Sequence, residues 1–434
     1  MANSVSVLML FYVFVTSQSV IAEPLIDLHT QLTSTVQAHP AFRGATDGPN
    51  SLSHKSDAAA TNDVTAYIGV SPWSGGEIWF NPEIDQGFGL SDTLGVAGFP
   101  SGEAYKVGKL VPYYRSQRLF MRQTIGLGGA AEHVDAAANQ VEMKRQPDRL
   151  VVTVGKFSVG DVFDTNTYAH DPRQDYFNWA VIDTGTFDYA ADSWGYSVGG
   201  AVEGYTGNWT LRGAMMALSN EPNGETLDLS FAQHQLIGEI ERRFSINQRA
   251  SALRVTAFDS YARMGRFDDA LAFGARSNTT PSTALVRRYG HRRGISLNAE
   301  QAVSDTAGVF ARVGIADGSH ESFDFTDIDR TVAAGITVKG KGWQRADDVF
   351  GAAFAVNDIS NARRDYLTAG GLGVLVGDGA LLRKSREAIF ESYYSAMLTS
   401  WAHITLDGQL VFNPGYNADR GPVVVLGVRL HLAR

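Results

Sequence analysis

Apolar and polar residues alternate along most of the chain, and few stretches carry a helical period. Leu150, Val152 and Val154, for example, are separated by Val151 and Thr153. Successive side chains of a β-strand point to opposite faces, so a period of two predicts strands. The same period recurs in segments 209–216, 253–257, 295–300, 309–315, 332–339, 404–412 and 424–433. The pattern therefore predicts an all-β fold.

The segment that begins at Leu25 fits two periods. Its apolar residues as far as Val36 have the spacing of one helix face, but several of them also alternate with polar residues such as Asp27 and His29. We predict a strand here because the rest of the chain is built from strands. Segments 40–62 and 275–290 have neither period and are predicted to be flexible connections.

The two faces of the predicted strands differ, since one is apolar and the other carries Arg, Glu, Lys and Asp. A soluble barrel or sandwich buries its apolar face, whereas a membrane barrel turns that face to lipid around a polar lumen. Strand lengths of about 9–12 residues, small residues on the strands and long polar insertions favour the membrane barrel. Sixteen strands of about ten residues would use roughly 160 residues of the chain. We therefore predict a transmembrane antiparallel β-barrel of about sixteen strands.

The chain ends on one of these strands. Its apolar positions run from Val424 to Leu432 and alternate with residues that include Arg429 and His431. Such a strand suits closure of a barrel, and its register places Arg434 on the lipid face at the membrane edge. A long arginine side chain can reach the headgroups from that position.

Residues 1–22 have the pattern of a secretory signal peptide. The apolar run Val5–Val15 is too short to span a bilayer, and Val20-Ile21-Ala22 offers a cleavage site. The first four residues, MANS, lack the usual Lys or Arg, and the alternative is a short buried strand. We predict a signal peptide over 1–22 and a single barrel domain over 23–434. The later chain has no run of 18 apolar residues, so no transmembrane helix is expected.

The composition of the chain argues against several classes of function. The net charge of −9 argues against nucleic acid as a partner. The absence of cysteine excludes thiolate catalysis and cysteine-ligated zinc.

Residues 195–199 spell G-x-S-x-G, the nucleophile elbow of serine hydrolases, with Ser197 as the nucleophile. An elbow needs a helix after the turn, but the residues after Ser197 continue the alternating pattern of a strand. We therefore predict that Ser197 faces the lumen on the same side as Glu203 and is not catalytic.

Two groups of charged residues suggest other chemistry. His170, Asp171 and Asp175 lie in HDPRQD, but their spacing does not bring three ligands onto one face, and Arg173 opposes a cation. We predict a loop held by ion pairs. Glu77 and Glu83 could be paired glycosidase carboxylates, although acids that line a pore are the preferred interpretation. No catalytic residue, metal or cofactor is predicted.

Aromatic residues cluster with charged ones in IWFNPEID, YFNWA and FDYAADSWGY. We predict that most of these rings form the girdles at the two membrane interfaces. Rings beside charged side chains can also hold sugars. For segment 163–195, which has the composition of a loop entering or covering the pore, sugar contact is a second expectation.

Long segments of the sequence resemble the carbohydrate-selective porins of the OprB type. The resemblance covers residues 28–433, more loosely over 260–390. Its main segments are GGEIWFNPEIDQGFGLSDTLGVAGFPSGEAYKVG, RLFMRQTIGLGG, VGKFSVGDVFDTNTYAHDPRQDYFNWAV, FDYAADSWGYSVGGAVEGYTGNWTLRGA and LDGQLVFNPGYNADRGPVVVLGVRLHL.

The resemblance implies a sixteen-stranded barrel that passes monosaccharides by facilitated diffusion. It also implies a constriction of arginines and glutamates with an aromatic neighbour. The chain departs from the family in its uncharged N-terminus, in Arg434 where an aromatic residue is usual, and at Pro72, which is expected to end or bulge a strand. The matching constriction positions are Glu77, Glu83, Glu103, Arg118, Arg122, Arg173 and Trp179.

Three functions follow from these expectations. The first is a passive outer-membrane channel for small sugars in a Gram-negative bacterium. The second is a general or ion-preferring porin on the same barrel, and the third is an exported β-rich carbohydrate-binding protein or hydrolase. The predicted partners are sugars and outer-membrane lipid, with a homotrimer as a further possibility.

Overall fold

The computed structural model describes residues 25–45, 47–105 and 107–434. The predicted signal peptide over residues 1–22 lies outside these described residues and stays a prediction. Among the described residues, no helix is both long enough and apolar enough to cross a membrane.

The described strands close into one antiparallel barrel of sixteen strands, and a separate two-stranded hairpin, β5–β6, stands beside them. The barrel closes where β1 pairs with β18, with Leu32 opposite Leu432. Beyond β18, the backbone of Arg434 pairs with Thr30. The predicted all-β barrel and the predicted strand from Leu25 are confirmed. The strands are β1 (Leu25–His39), β2 (Asp57–Ser71), β3 (Gly76–Gly87), β4 (Tyr113–Gly128), β5 (Glu132–Val134), β6 (Met143–Arg145), β7 (Asp148–Phe157), β8 (Ser197–Thr206), β9 (Trp209–Ala217), β10 (His234–Ile246), β11 (Arg249–Met264), β12 (Arg288–Ala302), β13 (Ala307–Ala316), β14 (Arg330–Gly340), β15 (Arg345–Asp358), β16 (Glu387–Thr399), β17 (Ala402–Phe412) and β18 (Val423–Ala433).

Helices are confined to the connections between strands. The described ones are α1 (Trp179–Ile182), α2 (Phe267–Ser277) and α3 (Asn361–Thr368). The prediction of flexible connections is wrong in part, because 57–62 belong to β2, 275–277 are the last residues of α2 and 288–290 belong to β12. The first outward positions of β2 are the small residues Ala58 and Ala60, so its start has no apolar alternation to see. The prediction that Pro72 ends a strand is confirmed, since β2 stops at Ser71.

The two ends of the barrel differ in the length of their connections. At one end, called the short-turn end, most connections are as short as residues 207–208, 247–248 and 400–401. The exception is residues 129–147, which hold β5 and β6 and are called the turn-side hairpin. The opposite, long-loop end carries longer segments such as residues 88–112 and 359–386.

Apolar side chains cover the outside of the barrel. Along β18, Leu426 and Val428 are 58% and 42% exposed, whereas the inward Arg429 is 1% exposed. Other strands show the same arrangement of apolar residues on the outside, since Ile240 and Leu297 also face outward. An apolar exterior around a polar interior is the arrangement of a membrane barrel. The membrane alternative is therefore confirmed over the soluble one.

Most of the aromatic residues predicted for the interface girdles lie inside the barrel, so that prediction is wrong for them. In the three aromatic-rich stretches, Phe80 lies on the outward side of β3, and the other rings are buried, from Trp79 at 0% to Tyr196 at 7% exposure. These rings belong to inward strand positions or to the loop inside the barrel. The tryptophans at the short-turn end lie instead in or beside the tight connections, as Trp73, Trp209, Trp343 and Trp401.

The connection between β7 and β8, residues 158–196, fills much of the lumen and is called the inner loop. The predicted loop entering the pore is thus confirmed. The barrel wall holds it through its backbone: the carboxylate of Glu391 accepts the N–H groups of Phe177 and Asn178, at 2.5 and 3.2 Å. The guanidinium of Arg312 donates to the carbonyls of Val181 and Ala169, at 2.6 and 2.7 Å. Because the wall satisfies these backbone groups, the inner loop is a fixed part of the lumen.

Candidate functional site

A cavity of about 850 Å³ lies inside the barrel. Its walls come from the inner loop, the segment 88–112, the turn-side hairpin and the inward faces of neighbouring strands, which include β3, β4, β7 and β8. The seven positions predicted for a constriction fall at or beside it. Glu83 is not among the lining residues. The cavity is lined by Glu77, Glu103, Arg118, Arg122, Arg173 and Trp179.

Arg173 of the inner loop is the centre of a buried charge cluster. Its guanidinium lies 3.0 Å from Asp63, 3.2 Å from Glu83 and 2.9 Å from Glu103. Glu83, behind Arg173, also accepts hydrogen bonds from side chains of its own wall. Burial raises the pKa of Glu103 above its ordinary value, and the charge of Arg173 offsets part of that rise. The cluster ties the inner loop and the segment 88–112 to β2 and β3.

Arg118 forms a second pair on the cavity wall. Its Nε and Nη2 atoms donate to the two carboxylate oxygens of Asp161, at 2.8 and 2.6 Å. The guanidinium also lies over the ring of Tyr196, 4.9 Å from its centroid. Burial opposes ionisation of Asp161, but Arg118 brings the pKa of this carboxyl below its usual value. The planar fork of Arg118 is therefore held in one orientation toward the cavity.

Glu77 and Arg122 form a third pair near the short-turn end. They are opposite each other in the β3–β4 register, and Arg122 Nη1 lies 3.7 Å from Glu77 Oε2. The same carboxylate oxygen accepts the indole N–H of Trp79 at 3.0 Å. Arg122 donates to the backbone carbonyl of Asn139, at 2.7 Å.

The turn-side hairpin folds into the lumen and forms one wall of the cavity. Its tip is a tight turn in which the backbones of Ala137 and Gln140 pair. Asn139, at φ +59°, accepts a hydrogen bond from the side-chain amide of Asn81, at 2.9 Å. Val141 donates its backbone N–H to Glu77, at 3.2 Å. The hairpin thus holds both members of the Glu77–Arg122 pair.

Trp179 begins α1 and gives the cavity an aromatic surface. Asn178 caps this helix by accepting the N–H of Ala180, at 3.0 Å. The indole stacks on Phe99 at 5.1 Å between ring centroids and an interplanar angle of 14°. The ring of Tyr189 packs against the indole at a tilt of 46°, with 5.7 Å between ring centroids. Packing on these rings fixes the indole, and its N–H has no partner among the described residues.

His170 contributes a positive charge to the cavity wall. One ring nitrogen lies 3.3 Å from Asp183 and the other donates to the carbonyl of Gly160, at 3.0 Å. Burial alone would lower the pKa of His170, but the carboxylate of Asp183 raises it to about 9. The imidazole is therefore protonated at neutral pH.

The structure argues against the serine-nucleophile, glycosidase and metal-site alternatives. Ser197 is buried, shares the inward face of β8 with Glu203 and donates its hydroxyl to the carbonyl of Ala217, at 2.5 Å. Glu77 and Glu83 are six residues apart on β3, so roughly 20 Å separates their α-carbons, too far for a glycosidase pair. Within the described part of the chain, no group of His, Asp and Glu could hold a metal ion. The HDPRQD segment is a loop held by ion pairs and hydrogen bonds, as predicted.

Several cavity residues were not predicted from the sequence. Asp161 stands in Ser158-Val159-Gly160-Asp161, a capping-box pattern that the structure shows as a short turn, but the pattern gives no hint of its partner Arg118. Nothing in the sequence marked Asn139 or Tyr196 as lining the lumen. Their positions depend on how the long connections fold back.

Comparisons with known proteins show which family and which solved structures this chain is similar to. The sequence matches the family model described as carbohydrate-selective porin, OprB family, over residues 51–433. A search of curated proteins finds no match. Among solved structures, the high-pH structure of OprB from Pseudomonas putida aligns at 15% identity over 94% of both chains, with a TM-score of 0.71. OccAB1 from Acinetobacter baumannii aligns at 9% identity over 94% of this chain and 96% of that one, with a TM-score of 0.50.

The structural matches show that this barrel has the fold of outer-membrane porins. The family match spans most of the chain and includes all seven predicted constriction positions. The chain therefore belongs to the OprB family of carbohydrate-selective porins, and it is a carbohydrate channel of the Gram-negative outer membrane, not an enzyme.

Proposed function

We propose that the cavity is the sugar site of this channel and that it passes monosaccharides by passive diffusion. The proposal rests on one cavity that is lined by three arginine–carboxylate pairs and by Trp179. Charged donors and acceptors can replace the hydrogen bonds between a sugar and water, and a ring can stack on its C–H face.

The paired state of these charges supports weak binding. Each arginine already has a carboxylate partner, so a sugar gains only the hydrogen bonds that the pairs leave free. Dissociation constants of about 1 mM, near −4 kcal/mol, are the expected order. Weak binding spread over several contacts allows a solute to leave as readily as it enters.

In outer-membrane barrels, short turns face the periplasm and long loops face the outside. We propose this orientation here, which places Glu77, Arg122 and the turn-side hairpin on the periplasmic side. The outward apolar residues would contact membrane lipid. The predicted homotrimer stays a prediction, and its test is the mass of the purified protein in detergent.

The test is single-channel conductance in a planar bilayer with glucose titrated into the bath. Open channels whose current falls saturably with glucose support the proposal. Arg118→Ala and Arg122→Ala should each weaken the block and shift ion selectivity toward cations. Arg364→Ala is the matched control, because Arg364 lies on α3 and pairs with its neighbour Asp365, away from the cavity. Channels without glucose block would favour a general or ion-preferring porin instead.

A further inference from the structure

Arg145, Arg149 and Arg434 line the cavity near the short-turn end and, unlike Arg118, Arg122 and Arg173, form no ion pair among the described residues. Arg145 ends β6 in the turn-side hairpin and Arg149 is the second residue of β7. Both line the cavity and both are half-buried. Among the described residues, neither forms an ion pair, and the Nε–H of each is enclosed without a hydrogen-bond partner. Arg118, Arg122 and Arg173 each face a carboxylate.

The surroundings of the two arginines concentrate positive charge. The charge of Arg145 acts unfavourably on Arg149. The guanidinium of Arg149 lies over the ring of Tyr205, 3.6 Å from its centroid, and one of its N–H groups donates to the carbonyl of Pro147, at 3.0 Å. Two like charges that form no ion pair cost free energy in a half-buried site, and a bound anion would lower that cost.

The acidic groups nearby are occupied or point away. Glu203, which also lines the cavity, accepts the hydroxyl of Tyr205 at 2.6 Å and lies 3.1 Å from Arg212. Glu132 is opposite Arg145 in the β5–β6 register, but it is exposed and forms no ion pair with it. The charge of Glu203 therefore acts favourably on Arg149 but is shared with Arg212, so the two guanidinium groups keep an excess of positive charge.

We propose that Arg145 and Arg149 form an anion subsite that takes the carboxylate of a sugar acid. This inference rests on the proposed sugar site, because the subsite opens into the same cavity. A guanidinium fork matches a planar carboxylate, and the sugar body would then lie against Met143 and the hairpin tip, which also line the cavity. The channel would thus accept acidic monosaccharides as well as neutral ones.

The experiment measures block of the potassium chloride current through the purified full-length mature channel by gluconate and by glucose. About 0.1 M salt keeps electrostatic screening moderate. One charge-assisted interaction predicts that gluconate half-blocks the current at about a tenfold lower concentration than glucose. Arg145→Gln with Arg149→Gln should abolish the difference, so that gluconate and glucose half-block the current of the double variant at equal concentrations.

Lys144→Gln is the matched control, since Lys144 lies on the same hairpin strand, is exposed and does not line the cavity. This variant should leave the half-blocking concentrations of gluconate and of glucose unchanged. The single variants Arg145→Gln and Arg149→Gln provide the same test should the double variant fail to fold. Equal block by gluconate and glucose in the unaltered channel would overturn the subsite. The subsite would also be overturned if the double variant were still blocked more strongly by gluconate than by glucose, or if acetate blocked the unaltered channel as strongly as gluconate. Absence of glucose block would instead refute the proposed sugar site, a result distinct from these.

Discussion

Replacing Arg173 by glutamine removes the one cation that three buried carboxylates share. Asp63, Glu83 and Glu103 all lie within 3.2 Å of its guanidinium, and the four side chains are at most 10% exposed. Glutamine keeps most of the volume and some hydrogen-bonding capacity, so the substitution tests the charge more than the packing. The formal charge of the cluster changes from −2 to −3.

The expected loss of stability is large and depends on pH. Removing one partner of a buried ion pair costs about 3–5 kcal/mol, because the remaining charge stays buried and unpaired. The pKa of Glu103 is raised in the native protein, so its neutral form is favoured by folding. The stability from such a group is present below its ordinary pKa and is lost as pH rises through the raised value. Without Arg173 the pKa of Glu103 is raised further. The variant Arg173→Gln should therefore recover stability as pH falls from 7 toward the ordinary pKa of a carboxyl group.

Urea unfolding of the barrel in detergent at pH 7 and pH 5, with heat-dependent gel migration as a second probe, measures this effect. Arg173→Gln with Glu103→Gln should recover part of the loss at pH 7, since one carboxylate fewer remains unpaired. Arg118→Gln, which removes an arginine with a single carboxylate partner, is the matched control and should cost less. A change below about 1 kcal/mol at pH 7, or an equal loss at both pH values, would refute the buried-charge argument.

Three further predictions concern conduction. Trp179→Ala should raise the glucose concentration for half-block about five- to tenfold, because an aromatic contact is worth about 1–1.5 kcal/mol, whereas Trp401→Ala at an outer turn should not. As pH rises through about 9, ion selectivity should shift toward cations because His170 loses its proton, and reversal potentials of His170→Gln should lack that step. Ala138→Cys should react with a charged thiol reagent that lowers the current, and glucose should slow the reaction, since Ala138 lines the cavity. Ala136→Cys, on the same hairpin but outside the lining, should leave the current unchanged, and equal effects at both positions would contradict the placement of the hairpin tip.

The fold could be predicted from the sequence because alternation is a local property. The segment 424–432 shows its two faces within nine residues, and the structure places them as expected. The prediction failed where side chains are small, as at Ala58 and Ala60 of β2. It also failed for the aromatic stretches, because an alternating ring can face lipid or lumen and the inner loop has no period at all.

The site could be predicted only as a set of positions, and those came from the family resemblance. The partners that give the positions their chemistry are distant along the chain: Arg173 meets Asp63 and Glu103 through loops that fold back into the lumen. The turn-side hairpin is harder still to foresee, since connections at that end of a membrane barrel are usually short. Its contacts with Glu77 and Arg122 depend on the tip reaching the lumen.

The pairing of charges in the lumen explains how a strongly polar interior can serve a neutral solute. An unpaired arginine would hold anions tightly and repel cations. In a pair, the carboxylate cancels most of the electric field of the arginine, and the two groups together offer hydrogen-bond donors beside acceptors. The inner loop is positioned by wall groups such as Glu391 and Arg312, so the pairs keep their geometry without a bound sugar. A prearranged site needs little ordering on binding, and the sugar gains modest free energy from several free hydrogen-bonding positions. Arg145 and Arg149 are exceptions to this pairing on the hairpin side of the lumen, and for that reason charge on the solute should matter there.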